Sequence, residues 1–306
     1  MKTIFILNPK AGSNNNIDRL LNNIKETDAA FYITKSAGDA YRFVKDFCNE
    51  NGPARFIACG GDGTLNEVIN GAIGCDGAEI GVMPFGTGND FCRNFSGDFT
   101  NVASQISGTS IKCDAIKYTT DGYEKYCANM FNIGFDCNVA DMTATMKTKP
   151  FISGPLAYFV SIFVILIKKK GANLKIEIDG EEVHNGRLLL TSIANGNYCG
   201  GGIKCNPLAS VHDGLLNVNI VYNISRLNFL TKLPFYMKGT HIKLPRIDKV
   251  IHNEKCKKIV ITPLEDKMRL CIDGEISTAS KTVFEIVPNA FNFVIPVKQT
   301  IEEFIC

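Results

Sequence analysis

Over the first third of the chain, short apolar runs alternate with longer amphipathic stretches. Thr3 to Leu7, Phe31 to Thr34, Arg55 to Cys59 and Glu79 to Pro84 read as strands, while Ile17 to Glu26, Gly38 to Glu50, Leu65 to Ile73 and the segment from Asp90 onward read as helices. That alternation, with short connections, predicts a parallel sheet with helices packed on it and ligand sites at the carboxyl ends of its strands. From about residue 111 the pattern changes to short alternating runs: Ile111 to Tyr118, Leu174 to Ile178, Arg187 to Ala194, Leu216 to Val221, Lys258 to Thr262, Met268 to Ile272 and Thr282 to Val287. With Asp179-Gly180 and Asp273-Gly274 as hairpin turns between them, they predict an antiparallel sandwich or barrel. The expected fold class is therefore α/β plus β. A mostly parallel α/β domain covers residues 1–122, rejoined by about 289–306, and an antiparallel β-sandwich domain covers 123–288.

Two helical inserts interrupt the later strands. Phe151 to Ile167 is almost wholly apolar and precedes Lys168-Lys169-Lys170, yet its 17 residues fall short of the ~20 needed to cross a bilayer, and Gly154-Pro155 lies near its start. A buried or interfacial helix is expected instead. The lysines suit either helix-end solvation or contact with anionic lipid headgroups. The second stretch, Phe229 to Met237 with Lys232 and Lys238, can face lipid, although core packing accounts for most of such aromatics.

Composition narrows the class. At 306 residues, 45% hydrophobic and 21% charged, the chain is long enough for two cores and too apolar for disorder. A net charge of +2 is too balanced for a protein whose main partner is nucleic acid, so any anionic partner must be met locally. The 12 cysteines form no Cys-x-x-Cys pair and have no His at ligand spacing, which points to reduced core thiols rather than zinc. No secretory signal is read at the start, and a cytoplasmic setting is expected. The four histidines are scattered in polar stretches and receive no catalytic role.

The chemistry concentrates in three loops that follow strands. Cys59-Gly60-Gly61-Asp62-Gly63-Thr64 precedes an amphipathic helix. Its glycines allow close approach of the backbone to a phosphate at a helix N-terminus. Thr64 reads as an N-cap with Glu67 as its capping-box partner, and Asp62 suits a metal or its water bridging to phosphate. Pro84-Phe85-Gly86-Thr87-Gly88-Asn89-Asp90 repeats the combination, and Asn8-Pro9-Lys10-Ala11-Gly12-Ser13 follows the first strand. The P-loop and dinucleotide signatures are both missing. Leu270-Cys271-Ile272-Asp273-Gly274-Glu275 carries two carboxylates around a glycine, which on spacing alone is an ordinary hairpin.

Taken in order, Asn8-Pro9-Lys10-Ala11-Gly12, Gly60-Gly61-Asp62-Gly63-Thr64 and Gly86-Thr87-Gly88-Asn89-Asp90 resemble the loops of the diacylglycerol kinase catalytic family, which also includes sphingosine and ceramide kinases. Thr34 with Gly38-Asp39-Ala40, Asn132-Ile133-Gly134-Phe135-Asp136 and Pro207-Leu208-Ala209-Ser210-Val211-His212-Asp213-Gly214-Leu215 extend the resemblance over nearly the whole chain. It implies the fold shared by NAD kinases and diacylglycerol kinases, and an ATP- and Mg²⁺-dependent transfer of the γ-phosphoryl group to a lipid hydroxyl, with diacylglycerol as the expected acceptor. Nucleotide contacts are implied at Asn8, Pro9, Lys10, Ala11, Gly12, Thr34, Gly60, Gly61, Asp62, Gly63, Thr64, Asn66, Glu67, Gly86 and Thr87. The implied catalytic set is Asp273 as general base, Glu275, Asp62 and Asp90, the roles of Asp273 and Glu275 being interchangeable. A structural Mg²⁺ is implied at Ser210, Asp213 and Leu215.

Two departures stand out: Asn217, where related sequences often carry an acid, and Asn14-Asn15-Asn16 after the first loop. The expected partner is a lipid at the inner membrane face, met by transient peripheral association. A homodimer is compatible with this picture. NAD kinase-like phosphorylation of a soluble nucleotide and a non-catalytic nucleotide-binding module are the alternatives.

Overall fold

The structure is a computed structural model that describes residues 1–11, 14–86, 88–134, 171–273 and 275–297. Gly12, Thr87, Phe135, Asp136, the Phe151 to Ile167 helix, Lys168-Lys169-Lys170, Gly274 and the chain beyond 297 lie outside the described residues. The contacts divide the chain into two units: Met1–Asp114 with the chain from Asn289 onward, and Ala115–Pro288. The division falls inside a strand, Thr109–Thr120, eight residues before the expected boundary at 122.

In the first unit, strands β1 (Thr3–Leu7), β2 (Ala30–Ile33), β3 (Arg55–Gly60) and β4 (Glu79–Pro84) alternate with helices α1 (Asn14–Lys25), α2 (Asp39–Asn51) and α3 (Asp62–Ala72). The strands pair in parallel in the order β2-β1-β3-β4, with Leu7 opposite Ile33 and Cys59, and Gly60 opposite Pro84. This register brings the carboxyl ends of all four strands to one edge. The segment after Asp90 makes only one 3-10 turn, Phe91–Asn94, before Phe95 becomes extended, and α4 (Val102–Ser107) follows. The sequence reading of a helix from Asp90 onward is thus corrected. Phe91 and Phe95 point inward, their rings 5.0 and 4.8 Å from that of Phe293 on the returning chain.

The second unit is antiparallel. It contains β6 (Tyr123–Cys127), β7 (Met130–Gly134), β8 (Ala172–Ile178), β9 (Glu181–Ala194), β10 (Leu216–Tyr222), helix α5 (Arg226–Lys238), β11 (Ile251–Cys256), β12 (Lys258–Pro263), β13 (Met268–Ile272) and β14 (Glu275–Ala279), with half each of β5 (Thr109–Thr120) and β15 (Thr282–Ile295). The order runs β14-β13-β7-β9-β8-β12-β15, with β10 joining β9 to β11 and β5 joining β15 to β6. Alternate residues, among them Ile116, Phe131, Ile176, Ile193, Val218 and Phe284, close one apolar core. β6, β7, β11 and β14 are too short or too polar to stand out in the sequence; neighbouring strands supply the pairing that defines them.

Three hairpins share one turn chemistry. Asp121, Asp179 and Asp273 have φ of 48°, 46° and 46°, each at a two-residue Asp-Gly connection, as the primed turns require. Asp121-Gly122 is an addition to the two read from sequence. Among the described cysteines none is disulfide-bonded, and six are buried.

Helices α2 and α3 pack closely at Gly71, where a Cβ would fall 2.7 Å from the Tyr41 carbonyl oxygen and 2.9 Å from Val44 Cβ. Because the nearest obstacle is backbone, Gly71→Ala is expected to cost about 1–3 kcal/mol in urea unfolding. A change inside about 0.5 kcal/mol would mean the two helices are free to separate.

Candidate functional site

The four strand ends of the first unit are tied together by backbone. Asn8 N donates to Cys59 O at 3.0 Å, Thr34 N to Leu7 O at 2.9 Å, and Phe85 N to Gly60 O at 2.9 Å. Asn8 reaches further: its Nδ2 donates to Thr64 Oγ1 at 3.0 Å, and its Oδ1 accepts from Lys10 N at 3.0 Å, folding the loop through Pro9, Lys10 and Ala11 back on itself. The Thr34 hydroxyl donates to Leu7 O at 3.2 Å. Asn66 lies one turn into α3, where its side-chain oxygen accepts from Asn70.

The glycines sit where neighbouring chain leaves no room for a side chain. A Cβ on Gly86 would lie 2.5 Å from Gly61 Cα, and one on Gly60 would lie 2.3 Å from Thr64 Oγ1. No side chain fits between the loops at Gly61 and Gly86, and the Gly86 amide donates across to Gly60 O at 3.3 Å. Asp62 completes the clasp: Oδ2 accepts from Asn89 N at 2.7 Å and Oδ1 from Asp90 N at 2.9 Å. Asn89 takes the left-handed φ of 51° that this requires, and its Nδ2 donates to Gly86 O at 2.6 Å.

The capping box is not formed. Helix α3 starts at Asp62 with Gly61 as N-cap, and no side chain caps it. Thr64 is instead inside the first turn and buried against Asn8. Glu67 caps a different helix: Oε1 accepts from Gly38 N at 2.7 Å and Oε2 from Ala40 N at 3.2 Å, satisfying the start of α2. Spacing three residues after Thr64 suggested a local bond, but the glycines let α3 begin earlier and turn Glu67 toward its neighbour.

Burial and then the Asp90 charge raise the Asp62 carboxyl above the usual Asp value of 3.8, against the N–H donors of Asp90, Asn89 and Phe91, which lower it. Arg93, 3.7 Å from Asp90, offsets part of that charge. Asn89 Oδ1 is buried with no hydrogen-bond donor among the described residues. Two neighbouring carboxylates with an unpartnered amide oxygen beside them are a donor set that suits Mg²⁺ and its waters.

In the second unit, Asp273 is anchored at the β13–β14 turn. Its Oδ1 accepts from Met130 N at 3.1 Å and its Oδ2 from the Cys127 thiol at 3.2 Å, while Asp273 N donates to Met130 O at 3.3 Å. Burial, followed by the charge of Asp273, pushes the Cys127 thiol well above its ordinary value, so it stays a donor. Glu275 opens β14 opposite Ile272 and is exposed. The bonds from Met130 and Cys127 had no signature in the sequence, because both residues read as core.

Ser210, Asp213 and Leu215 do lie on one turn, where Asp213 Oδ1 accepts from Leu215 N at 3.1 Å. The other oxygen, Oδ2, is taken by the Lys255 ammonium at 2.6 Å, and Asn217 pairs with Asn253 at 3.4 Å. As arranged, this turn does not fit a divalent cation, since its single carboxylate is already neutralised. Among the described residues no cluster of three or more His, Cys, Asp or Glu is placed to hold a metal.

With this geometry in view, the comparisons agree. Residues 2–118 match the model of the diacylglycerol kinase catalytic domain, and residues 129–295 match that of the YegS C-terminal NAD kinase beta sandwich-like domain. The chain is 36% identical over 256 residues to a diacylglycerol kinase of Staphylococcus carnosus, covering 82% of this chain and 78% of that protein. It is equally similar to one of Staphylococcus aureus, over 82% of this chain and 76% of that protein. A crystal structure of a diacylglycerol kinase from Bacillus anthracis superposes with a TM-score of 0.67 at 21% identity, covering 96% of each chain. The yeast NADH kinase complexed with NADH gives 0.53 at 10% identity, covering 98% of this chain and 84% of that one.

The Asp62 environment has a measurable consequence. A carboxyl raised in the folded state binds its proton more tightly there than in the unfolded chain. Its contribution is therefore fully present below the unfolded value near 3.8 and is lost as pH rises through the folded value. Asp90→Asn, which removes the like charge, is expected to shrink that loss. Urea midpoints measured in EDTA from pH 4 to 7 should fall less for the variant than for the wild type, and parallel curves would show that the two carboxylates do not interact.

Proposed function

The chain belongs to the diacylglycerol kinase family, and we propose that it transfers the γ-phosphoryl group of ATP to the hydroxyl of a lipid, diacylglycerol being converted to phosphatidic acid. The observation that carries this reading is the close backbone approach of Gly61 and Gly86, fixed by the Asp62 carboxylate at the start of α3. The backbone amides of these loops and the N-terminus of α3 hold the phosphates, and Asn8, Pro9, Lys10 and Ala11 border them from the first strand. Mg²⁺, when bound, neutralises the phosphates; Asp62 and Asp90 would hold it through water.

Asp273 takes the proton of the attacking hydroxyl. Its carboxylate is oriented by the amide of Met130 and the thiol of Cys127, both donors to the charged form. Donors of this kind fix the carboxylate in direction, which suits a base that must face an incoming alcohol. The acceptor hydroxyl belongs to a lipid rather than to a nucleotide because the chain is 36% identical to proteins named diacylglycerol kinase, whereas its likeness to the NADH kinase is one of fold.

The lipid reaches the protein by peripheral association. No helix among the described residues is long and apolar enough to cross a membrane. Helix α5 instead divides its apolar residues: Phe229 and Tyr236 are buried at 7% and 8% exposure, while Leu227, Leu230 and Phe235 are exposed at 74%, 40% and 43%. Lys238, Lys243, Arg246 and Lys249 are exposed on and after it, as on a helix that lies on an anionic surface.

Incubation with γ-labelled ATP and a panel of lipids in mixed micelles, with NAD as control, should label diacylglycerol; label in NAD alone would reject the assignment. Asp273→Asn is expected to lower kcat by at least about 10²-fold while the protein still binds ATP. Unchanged turnover would remove Asp273 as the base. Leu227→Gln with Leu230→Gln should weaken co-sedimentation with vesicles of phosphatidylglycerol and phosphatidylcholine by about tenfold. Equal sedimentation of the variant would dismiss α5 as the membrane contact.

A further inference from the structure

The loop between β9 and β10 carries two thiols on a tight turn. Cys199 and Ile203 exchange backbone hydrogen bonds at 2.9 Å in both directions across Gly200, Gly201 and Gly202, whose φ values of 60°, 85° and 116° only glycine adopts without strain. That turn returns the chain so that Cys205 Sγ lies 2.9 Å from Cys199 Sγ. Non-bonded heavy atoms normally settle at about 3.5–4.0 Å, and a disulfide needs about 2.05 Å. Less than about 1 Å of closure separates the two states.

The two cysteines differ in a way that suits stepwise exchange. Cys205 is fully buried, its carbonyl accepting from Asn219 Nδ2 at 3.2 Å and its sulfur 3.5 Å from Met130 Sδ. The next residue, Asn206, is fixed by Ser192 and Asn219. Cys199 is partly exposed at the mouth of the turn. We propose that Cys199 and Cys205 form a reversible dithiol–disulfide site that takes low-molecular-weight disulfides as its oxidant. This site does not depend on the identity of the acceptor lipid.

The Cys199 thiolate attacks one sulfur of the small disulfide RSSR. The RS–SR bond breaks, a Cys199–SR bond forms, and RS⁻ leaves with the proton that Cys199 gave up. Cys205, after losing its own proton, attacks Cys199 Sγ. The Cys199–SR bond breaks, the Cys199–Cys205 bond forms, and a second RSH departs. Two protein thiols are oxidised and one RSSR is reduced to two RSH. In a reducing cytoplasm such a bond is transient, as for other redox-sensing pairs.

The sequence makes the test direct, because Lys204 lies between the two cysteines. Trypsin separates Leu188–Lys204, which holds Cys199, from Cys205–Arg226. The full chain, treated natively with glutathione disulfide and then alkylated, denatured and digested, is expected to yield these two peptides joined, with alkylation lost at both cysteines and restored by dithiothreitol. In Cys205→Ser, Cys199 should instead retain a glutathione adduct. Separate, fully alkylated peptides from the wild type would overturn the proposal, as would a lasting mixed disulfide or joining to any other cysteine peptide.

Discussion

Everything in the first unit depends on two polypeptide backbones approaching where no side chain can stand. Gly61 and Gly86 meet so closely that a methyl group on Gly86 would overlap the other's Cα. Such contact would leave amides without partners unless something accepted from them. The carboxylate of Asp62 does so by taking the N–H groups of Asn89 and Asp90. Its position on the first turn of α3 links a loop, a helix start and a strand end in one interaction. The cost is a buried carboxylate next to a second one, and burial together with that neighbouring charge raises the Asp62 carboxyl above its ordinary value.

The second unit uses a similar device at smaller scale. Asp121, Asp179 and Asp273 are backbone equivalents at hairpin turns, and sequence alone would treat them alike. Their surroundings separate them. Asp179 spends its carboxylate on the backbone amides of Lys257 and Lys258, a brace between neighbouring hairpins. Asp273 is held by a strand amide and a thiol across a sequence separation of more than a hundred residues. A turn residue becomes a candidate base through what β7 and β6 bring to it.

Hydrophobic periodicity placed β1 and β4 to the residue and the helices between them to within three residues, because each carries its own apolar face. It failed where structure is imposed from outside. The segment after Asp90 looked helical, yet its phenylalanines are spent on a cluster with Phe293, nearly two hundred residues away, and a straight helix could not deliver them. Thr64 and Glu67 had capping-box spacing, yet one faces Asn8 and the other the α2 start. Asn89, between a glycine and an acid, occupies a left-handed position that this residue type tolerates, a local signal within its loop. Lys255 gave no sign that it would sit on Asp213.

The chain by itself determined the alternation of parallel and antiparallel regions, the three glycine loops and the hairpin turns. These are written in local periods and in residues whose backbone freedom or cap chemistry acts over a few positions. Tertiary structure alone decided which partner each polar group would meet: Glu67 on another helix, Asp62 on the second loop, Asp273 on β7, and Cys199 on Cys205. Hydrogen bonds and thiol contacts act over about 3 Å, and only the folded chain sets which atoms come that close.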